Sequence, residues 1–532
     1  MVAAVVLLQG SKATDQVSEK GLQGLPAADG ILETYLPNAV HDLSHLLDLP
    51  IKMSTFNRWS NWAGTQHASP ARIYNPTSIA DLQTIIKEAG SEEKKIRCAG
   101  SGHSWSSSSV VNDNGFLVNM KHMEKIYPPK LKGGVWTVEV ETGVLLAHLD
   151  YLLRHHDPPL AVSSNTVLDT IRYGGVMSLG CHGAALAART MPDIVTEVKI
   201  VDSSGVLHTF SKEKDINEFS AATANLGLLG IIYSYTMTVE PMFKLLMSES
   251  HPPLSDYFGD PDTCGPKLKA MTSTNDQTEI FFWPFNSPGL SREGDTLWLK
   301  QWQRTNRTVT ESPLARGVRN IFSNLETEFG NTLFQFMAAN PTATPFIDYL
   351  LYSVNKGESE KVLYAPEAIH YQPGIDNIPC LALEMAFKVD EDFKKVVKAG
   401  NYVIDQVYEH AHRGQFPLNL ALEMRFVKSS SMVVSNAYDE DSEAIYCMIE
   451  IVSVAGTPGF EEFSAKIAHY WMENFQAMQV PHWAKMWEHV PGIVPHIRRT
   501  AGKRLDKFEV VRKKYDPSGM FMTDTFAAVL GH

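Results

Sequence analysis

The sequence predicts an α+β chain in two parts, on three observations. From about residue 74 to 242 strand and helix patterns take turns. From about residue 243 the texture shifts to longer, aromatic-rich strands such as Ile280 to Phe285 and Leu297 to Gln303, with helical stretches between. The composition, 44% hydrophobic and 10% aromatic with 20% charge over 532 residues, is that of a globular protein with a sizeable core.

Taken in order, residues 1 to about 56 mix turn formers with weak helix patterns and carry no motif. Ile79, Leu82, Ile85, Ile86 and Ala89 recur at helical spacing, with Thr77 or Ser78 as the cap and Gly90 as a stop. A short strand at Ile96-Arg97-Cys98 runs into Gly100-Ser101-Gly102-His103-Ser104, where glycine lets the backbone turn tightly and present N–H groups to phosphate. The loop has neither Walker nor GxGxxG spacing. His103 is the odd residue in such a loop, either a ring that only hydrogen-bonds or one that reacts.

Further on, Trp136, Val138 and Val140 alternate as a strand and Leu145 to His156 reads as an amphipathic helix. The small-residue segment Tyr173 to Ala184 holds Gly174, Gly175, Gly180, His182 and Gly183, where close backbone serves either tight packing or a flat or anionic ligand. Ile194 to Val201 and Val206 to Phe210 form a hairpin, and Leu226 to Gly230 leads to a strand through Val239.

A formal charge of −13 argues against nucleic acid or an anionic membrane surface and for a small-molecule partner. The five cysteines are far apart and without a CxxC pair, so they are read as free thiols and no metal site is predicted. Met1 to Leu8 lacks the basic flank of a secretory signal, and no stretch approaches the ~20 apolar residues of a membrane span.

In the second part, Glu423 and Arg425 point the same way if Leu422 to Val427 is a strand, lining either a solvated edge or a cavity. His482, Trp483 and Lys485 gather a titratable ring, an aromatic and a cation, either at the surface or in a site. Tyr515 to Phe521 is a turn that anchors the tail.

These pieces, in this order from about residue 57 to 530, resemble the FAD-linked oxidases of the vanillyl-alcohol oxidase type, and within them the sugar-lactone and alditol oxidases. The matching motifs are Gly100 to Ser104, the segment ending Cys181-His182-Gly183, the Leu226 to Gly230 turn, Phe282-Trp283-Pro284, Glu423-Met424-Arg425, His482 to Lys485 and the closing Asp516 to Phe521. The resemblance implies a two-subdomain FAD-binding domain of the PCMH type over 57–242, a cap domain with a large antiparallel sheet over 243–480, and a return of 481–532 to the FAD domain, after an extension over 1–56.

It also implies FAD, bonded covalently through His103, with Gly100, Ser101, Gly102, Ser104, Gly174, Gly175, Gly180, His182, Gly183 and Gly230 at the cofactor. Glu423, Arg425 and Lys485, with His482 as an alternative base or an orienting group, would face the flavin's reactive edge, oxidising an alcohol and reducing O₂ to H₂O₂. Two departures leave alternatives open. Thr166 falls where many such oxidases carry a small residue, so a dehydrogenase using another acceptor is a competing reading. The segments 314–331 and 351–364 match nothing in the family, so a larger secondary metabolite is a competing substrate. A non-catalytic protein on a decayed flavin fold would not retain Glu423, Arg425 and Lys485.

Overall fold

The computed structural model describes residues 58–532 apart from 112–113, 312–329, 356, 372–373 and 476–479. The extension over 1–56 and most of 314–331 therefore lie outside the described residues. A two-strand hairpin, β1 (Trp59–Ser60) with β2 (His67–Ala68), precedes a parallel sheet of β3 (Arg72–Tyr74), β4 (Ile96–Ala99) and β5 (Phe116–Asn119), ordered β3-β5-β4. The helix between β3 and β4, Ile79–Ser91, starts where Ser78 accepts the Asp81 N–H, and it buries Leu82, Ile85, Ile86 and Ala89. It runs one residue beyond Gly90, and the Ser91 hydroxyl donates to the Glu88 carbonyl at 2.8 Å in the last turn.

A second sheet contains β6 (Lys130–Lys132), β7 (Val135–Glu141), β8 (Leu160–Ala161), β9 (Val195–Val201), β10 (Leu207–Ser211) and β11 (Ile231–Pro241), with the main path β10-β9-β11-β7-β6 and β8 paired to β11. The predicted 194–210 hairpin is β9 with β10, and Leu146–Arg154 is the predicted helix.

The third sheet is antiparallel throughout and has seven strands: β12 (Lys244–Ser250), β13 (Gln277–Phe282), β14 (Trp298–Thr305), β15 (Ser359–Tyr364), β16 (Cys380–Lys388), β17 (Ala421–Lys428) and β18 (Ile445–Val454), in the order β15-β12-β14-β13-β17-β18-β16. Side chains alternate between its faces. Ile280, Phe282, Leu383, Met385, Leu422, Met424, Ile449 and Ile451 belong to the main buried core, and Gly400 of the helix Lys394–Ala411 lies against the Met424 methyl. The residues between them, Glu384, Glu423, Arg425 and Glu450, therefore point to the opposite face. This settles the edge-or-cavity alternative for Glu423 and Arg425, since β17 is an interior strand flanked by β13 and β18.

The chain closes on its own beginning. Asp516 accepts the Met520 and Phe521 N–H groups in the predicted turn, and Met520 C=O accepts the Ile96 N–H at the start of β4. All five cysteines are free. Among the described residues no helix is long and apolar enough to cross a membrane.

Candidate active site

A cavity opens between the 100–105 loop and the charged face of the seven-stranded sheet, lined on one side by Gly100 to Trp105, Thr166, Gly175 and His182 and on the other by Glu384, Glu423, Arg425 and Glu450. Gly102 adopts φ +74°, a conformation that a side chain would strain, and this turn aims the next residue inward. The Trp62 N–H donates to the Gly102 carbonyl at 2.8 Å and Asn61 Nδ2 donates to the Ser104 carbonyl at 3.0 Å, so the loop is held from outside.

Beneath the loop, the buried Arg97 guanidinium donates to the carbonyls of Ser108, Leu226, Gly227 and Phe521. Its side chain joins the turn at Ser107–Ser109, which follows the 100–105 loop, to the Leu226 to Gly230 turn and the C-terminal tail. The sequence pattern marks Arg97 only as part of a strand.

The His103 ring stacks on Trp62, centroids 4.7 Å apart, and its Nδ1 is buried with no hydrogen-bond partner. Burial holds its pKa down near 4, with Lys485 acting in the same direction and Asp376 opposing. A neutral imidazole with a free nitrogen lone pair is what a bond to a flavin methyl carbon requires, so these residues fit FAD. A Cβ on Gly175 would meet only open space at the cavity wall, leaving room for a flat ring.

The other predicted cofactor glycines are placed differently. Gly174, Gly180, Gly183 and Gly230 do not line the cavity. Gly174 is pressed on Thr142 and Gly183 on the Asn165 carbonyl, where an added Cβ would sit 2.9 Å and 2.4 Å from the nearest atoms; the packing reading accounts for both. Thr166 lines the cavity and donates its hydroxyl to the Leu168 carbonyl.

Across the cavity, strand register sets Glu384, Glu450 and Glu423 side by side on β16, β18 and β17. Each carboxylate has a side-chain partner. Arg425 donates to Glu423 at 2.9 Å, and its Nε lies 3.2 Å from Glu279 as an ion pair without the alignment of a hydrogen bond. Tyr371 donates to the other Glu279 oxygen at 2.8 Å. Lys485 donates to Glu450 and lies 4.2 Å above the Trp105 ring. His182 bridges Glu384, at 2.8 Å from Nε2, and the Gly183 carbonyl, at 2.9 Å from Nδ1.

Like charges side by side in a buried place cannot all stay ionised at ordinary values. Burial pushes the Glu423 carboxyl up to about 7, with Glu450 and Glu279 adding to the rise and Arg425 opposing it. Burial also works against ionised Glu384, but His182, His482 and Lys485 outweigh it and hold that carboxyl well below the usual range. Lys485 is pulled down by burial and lifted further by Glu450 and Glu384, so it stays a cation.

His482 is buried rather than superficial. Its backbone N–H donates to the Glu384 carbonyl, and its Nδ1 accepts the Ala484 N–H at 3.1 Å. Burial holds its pKa near 4, so the ring is neutral with its proton on Nε2. His182, Glu384 and His482 offer donor atoms within 4.8 Å of one another, of the types that hold divalent metals. The hydrogen bonds already use both nitrogens of His182 and the Nδ1 lone pair of His482, so a hydrogen-bond network accounts for the cluster.

Glu384, Glu450 and Glu279 were missed in the sequence. The available signal was a lone glutamate inside an apolar strand, as in CLALEMAFK and IYCMIEIVSV.

A loop cradle with a free histidine facing paired acids and cations defines a flavin-dependent oxidoreductase. The match of residues 70–211 to the FAD binding domain model agrees with that. Residues 236–529, more than half of the chain, match the D-arabinono-1,4-lactone oxidase model, and the chain belongs to that family. It is 23% identical over 478 residues to an L-gulono-1,4-lactone dehydrogenase of Mycobacterium tuberculosis, covering 89% of this chain and 99% of that one. It is also 23% identical over 485 residues to an L-gulonolactone oxidase of Scyliorhinus torazame, covering 88% and 97%. Among solved structures the fold resembles cholesterol oxidase from B. sterolicum, with a TM-score of 0.74 and 17% identity over 91% of this chain and 99% of that one.

Proposed function

We propose that this protein oxidises a hydroxyl of a sugar lactone to the carbonyl, with O₂ as the final acceptor and H₂O₂ as its product. In this reading 57–242 with 481–532 hold FAD and 243–480 cover it. When bound, the flavin supplies a two-electron acceptor for the hydride leaving the substrate carbon. Glu423 takes the hydroxyl proton, because a carboxyl poised near neutrality serves as a base at neutral pH. Arg425 and Lys485 keep positive charge where negative charge develops. His482, with Nδ1 occupied, orients rather than abstracts. His103, with Gly100, Ser101, Gly102, Ser104, Gly175 and His182, holds the cofactor, and His103 Nδ1 is its covalent anchor.

The observation that carries this reading is the row of Glu384, Glu450 and Glu423, hydrogen-bonded to His182, Lys485 and Arg425 in turn and facing the free His103 nitrogen across one cavity. The test is anaerobic mixing with L-gulono-1,4-lactone and D-arabinono-1,4-lactone. The yellow flavin band should bleach and return on admitting air, with one H₂O₂ for each lactone consumed. Retention of the band with both lactones counts against the reading. Thr166 at the cavity wall favours a second reading, a dehydrogenase; slow recovery in air with fast recovery on an artificial acceptor would establish it.

A further inference from the structure

The face of the seven-stranded sheet over the cavity is graded. Because alternate residues share a face, it carries rows about 7 Å apart. One row is charged, Arg425 beside Glu279 beside Lys300 beside Glu249. The next is half charged, half aromatic: Glu384, Glu450, Glu423, then Phe281 and Trp298. The third holds Ala382, Val452 and Ala421, and Trp283 extends it, two residues beyond Phe281.

The cavity reaches Arg425 of the first row and spans the second and third, and its third-row end is apolar. Trp283 packs near Trp298 and Phe334, ring centroids 6.3 Å and 6.5 Å away, with Leu420 and Val452 beside them. The indole N–H groups of Trp62 and Trp105 are already used, on the carbonyls of Asp376 and Cys380, and the buried Trp298 Nε1, in the second row, is left without a partner among the described residues, so the polar capacity of this side belongs to the second row rather than the third. The charged side chains of the other end are matched to one another. A ligand whose hydroxyls extend over its whole length would bury some of them against rings and methyls with nothing to bond, which disfavours it.

We propose that the preferred substrate is a hydroxylated lactone bearing a bulky apolar substituent, its hydroxyl at Glu423 and Arg425 and its apolar part seated on Trp283, Phe334 and Val452. This rests on the lactone oxidation argued above and narrows its substrate class. The cofactor cradle lies on the opposite wall, at Gly100 to Ser104 and Gly175, so the apolar end is open to substrate.

The experiment compares kcat/KM of the FAD-loaded full chain for L-gulono-1,4-lactone and for 2-hydroxy-γ-butyrolactones carrying hydrogen, butyl or phenyl at the γ carbon. The expected result is a gain of roughly ten-fold for every two methylenes buried. Trp283→Ala, which removes the wall, and Ala421→Leu, which fills the row, should each cut the phenyl-to-hydrogen preference roughly ten-fold or more. Trp283→Phe, which keeps a ring, should cut it less and guards against a folding defect. Equal or better turnover of the unsubstituted lactones, with a preference indifferent to these variants, overturns the inference. So does loss of bound FAD in Trp283→Phe, which would assign that wall to the cofactor. Failure of the lactone reading is recognised separately, because then no lactone bleaches the flavin at all.

Discussion

Glu423 and Glu450 face each other directly across neighbouring antiparallel strands, the first half-buried and the second buried, on one side of the sheet. Arg425 and Lys485 separate their charges between them, one cation for each acid. The pair is the centre of the site, and most of its behaviour follows from the cost of holding both acids ionised.

Glu423→Gln keeps the shape and the donor contact with Arg425 but cannot take a proton. Flavin reduction should fall by about 10² to 10⁴ with FAD content retained. Stopped-flow reduction beside the absorbance ratio of flavin to protein checks this, and an unchanged rate would remove Glu423 from the base role.

The same residue predicts a pH limb. With a carboxyl near 7, the reduction rate should climb as pH rises through about 7 and level off above it. Glu423→Gln should flatten that limb, as read from single-turnover rates across pH.

Stability should move oppositely at the two acids. The Glu423 value in the folded chain lies above the unfolded carboxylate value of about 4.3, so the native state binds the proton more tightly and Glu423 costs stability at high pH. Glu423→Gln should therefore stabilise the protein at pH above about 7, by on the order of 1–3 kcal/mol, and do nothing below the unfolded value. Glu384 is depressed, so its pairing contributes above the unfolded value and is lost as pH falls below it. Thermal melts of Glu423→Gln and Glu384→Gln across pH should diverge accordingly.

His103→Ala removes the free nitrogen and leaves the loop, which Asn61 and Trp62 hold. Acid precipitation should leave yellow colour with the wild-type polypeptide and release it from the variant. Yellow that stays with the variant pellet would place the anchor elsewhere.

Glu450→Ala strands Lys485 in a buried place. Breaking such a pair costs about 3–5 kcal/mol, which a denaturant melt detects, and Glu450→Gln should recover part of it.

Much of this site was legible in the chain, and the unread part has a common cause. Glu423 and Arg425 share a face by the period of two, and Gly102 before His103 marks a turn that leads a side chain inward. Whether the charged pair met solvent or a cavity depended on what lay beside β17, which local spacing does not contain. Glu384 and Glu450 became site residues only when β16 and β18 came into register with β17, over separations that single-strand patterns do not encode. Gly174 and Gly183 illustrate the converse. A small residue satisfies both a ligand and a neighbouring carbonyl, and only the packed neighbour tells them apart.

Arg97 reaches the carbonyl of Phe521, 424 residues away, with the same guanidinium that holds Ser108 beside the cofactor loop. One guanidinium therefore ties together strands that the chain lays down hundreds of residues apart, so the floor under the 100–105 loop is finished only when the 516–521 turn has folded back onto β4.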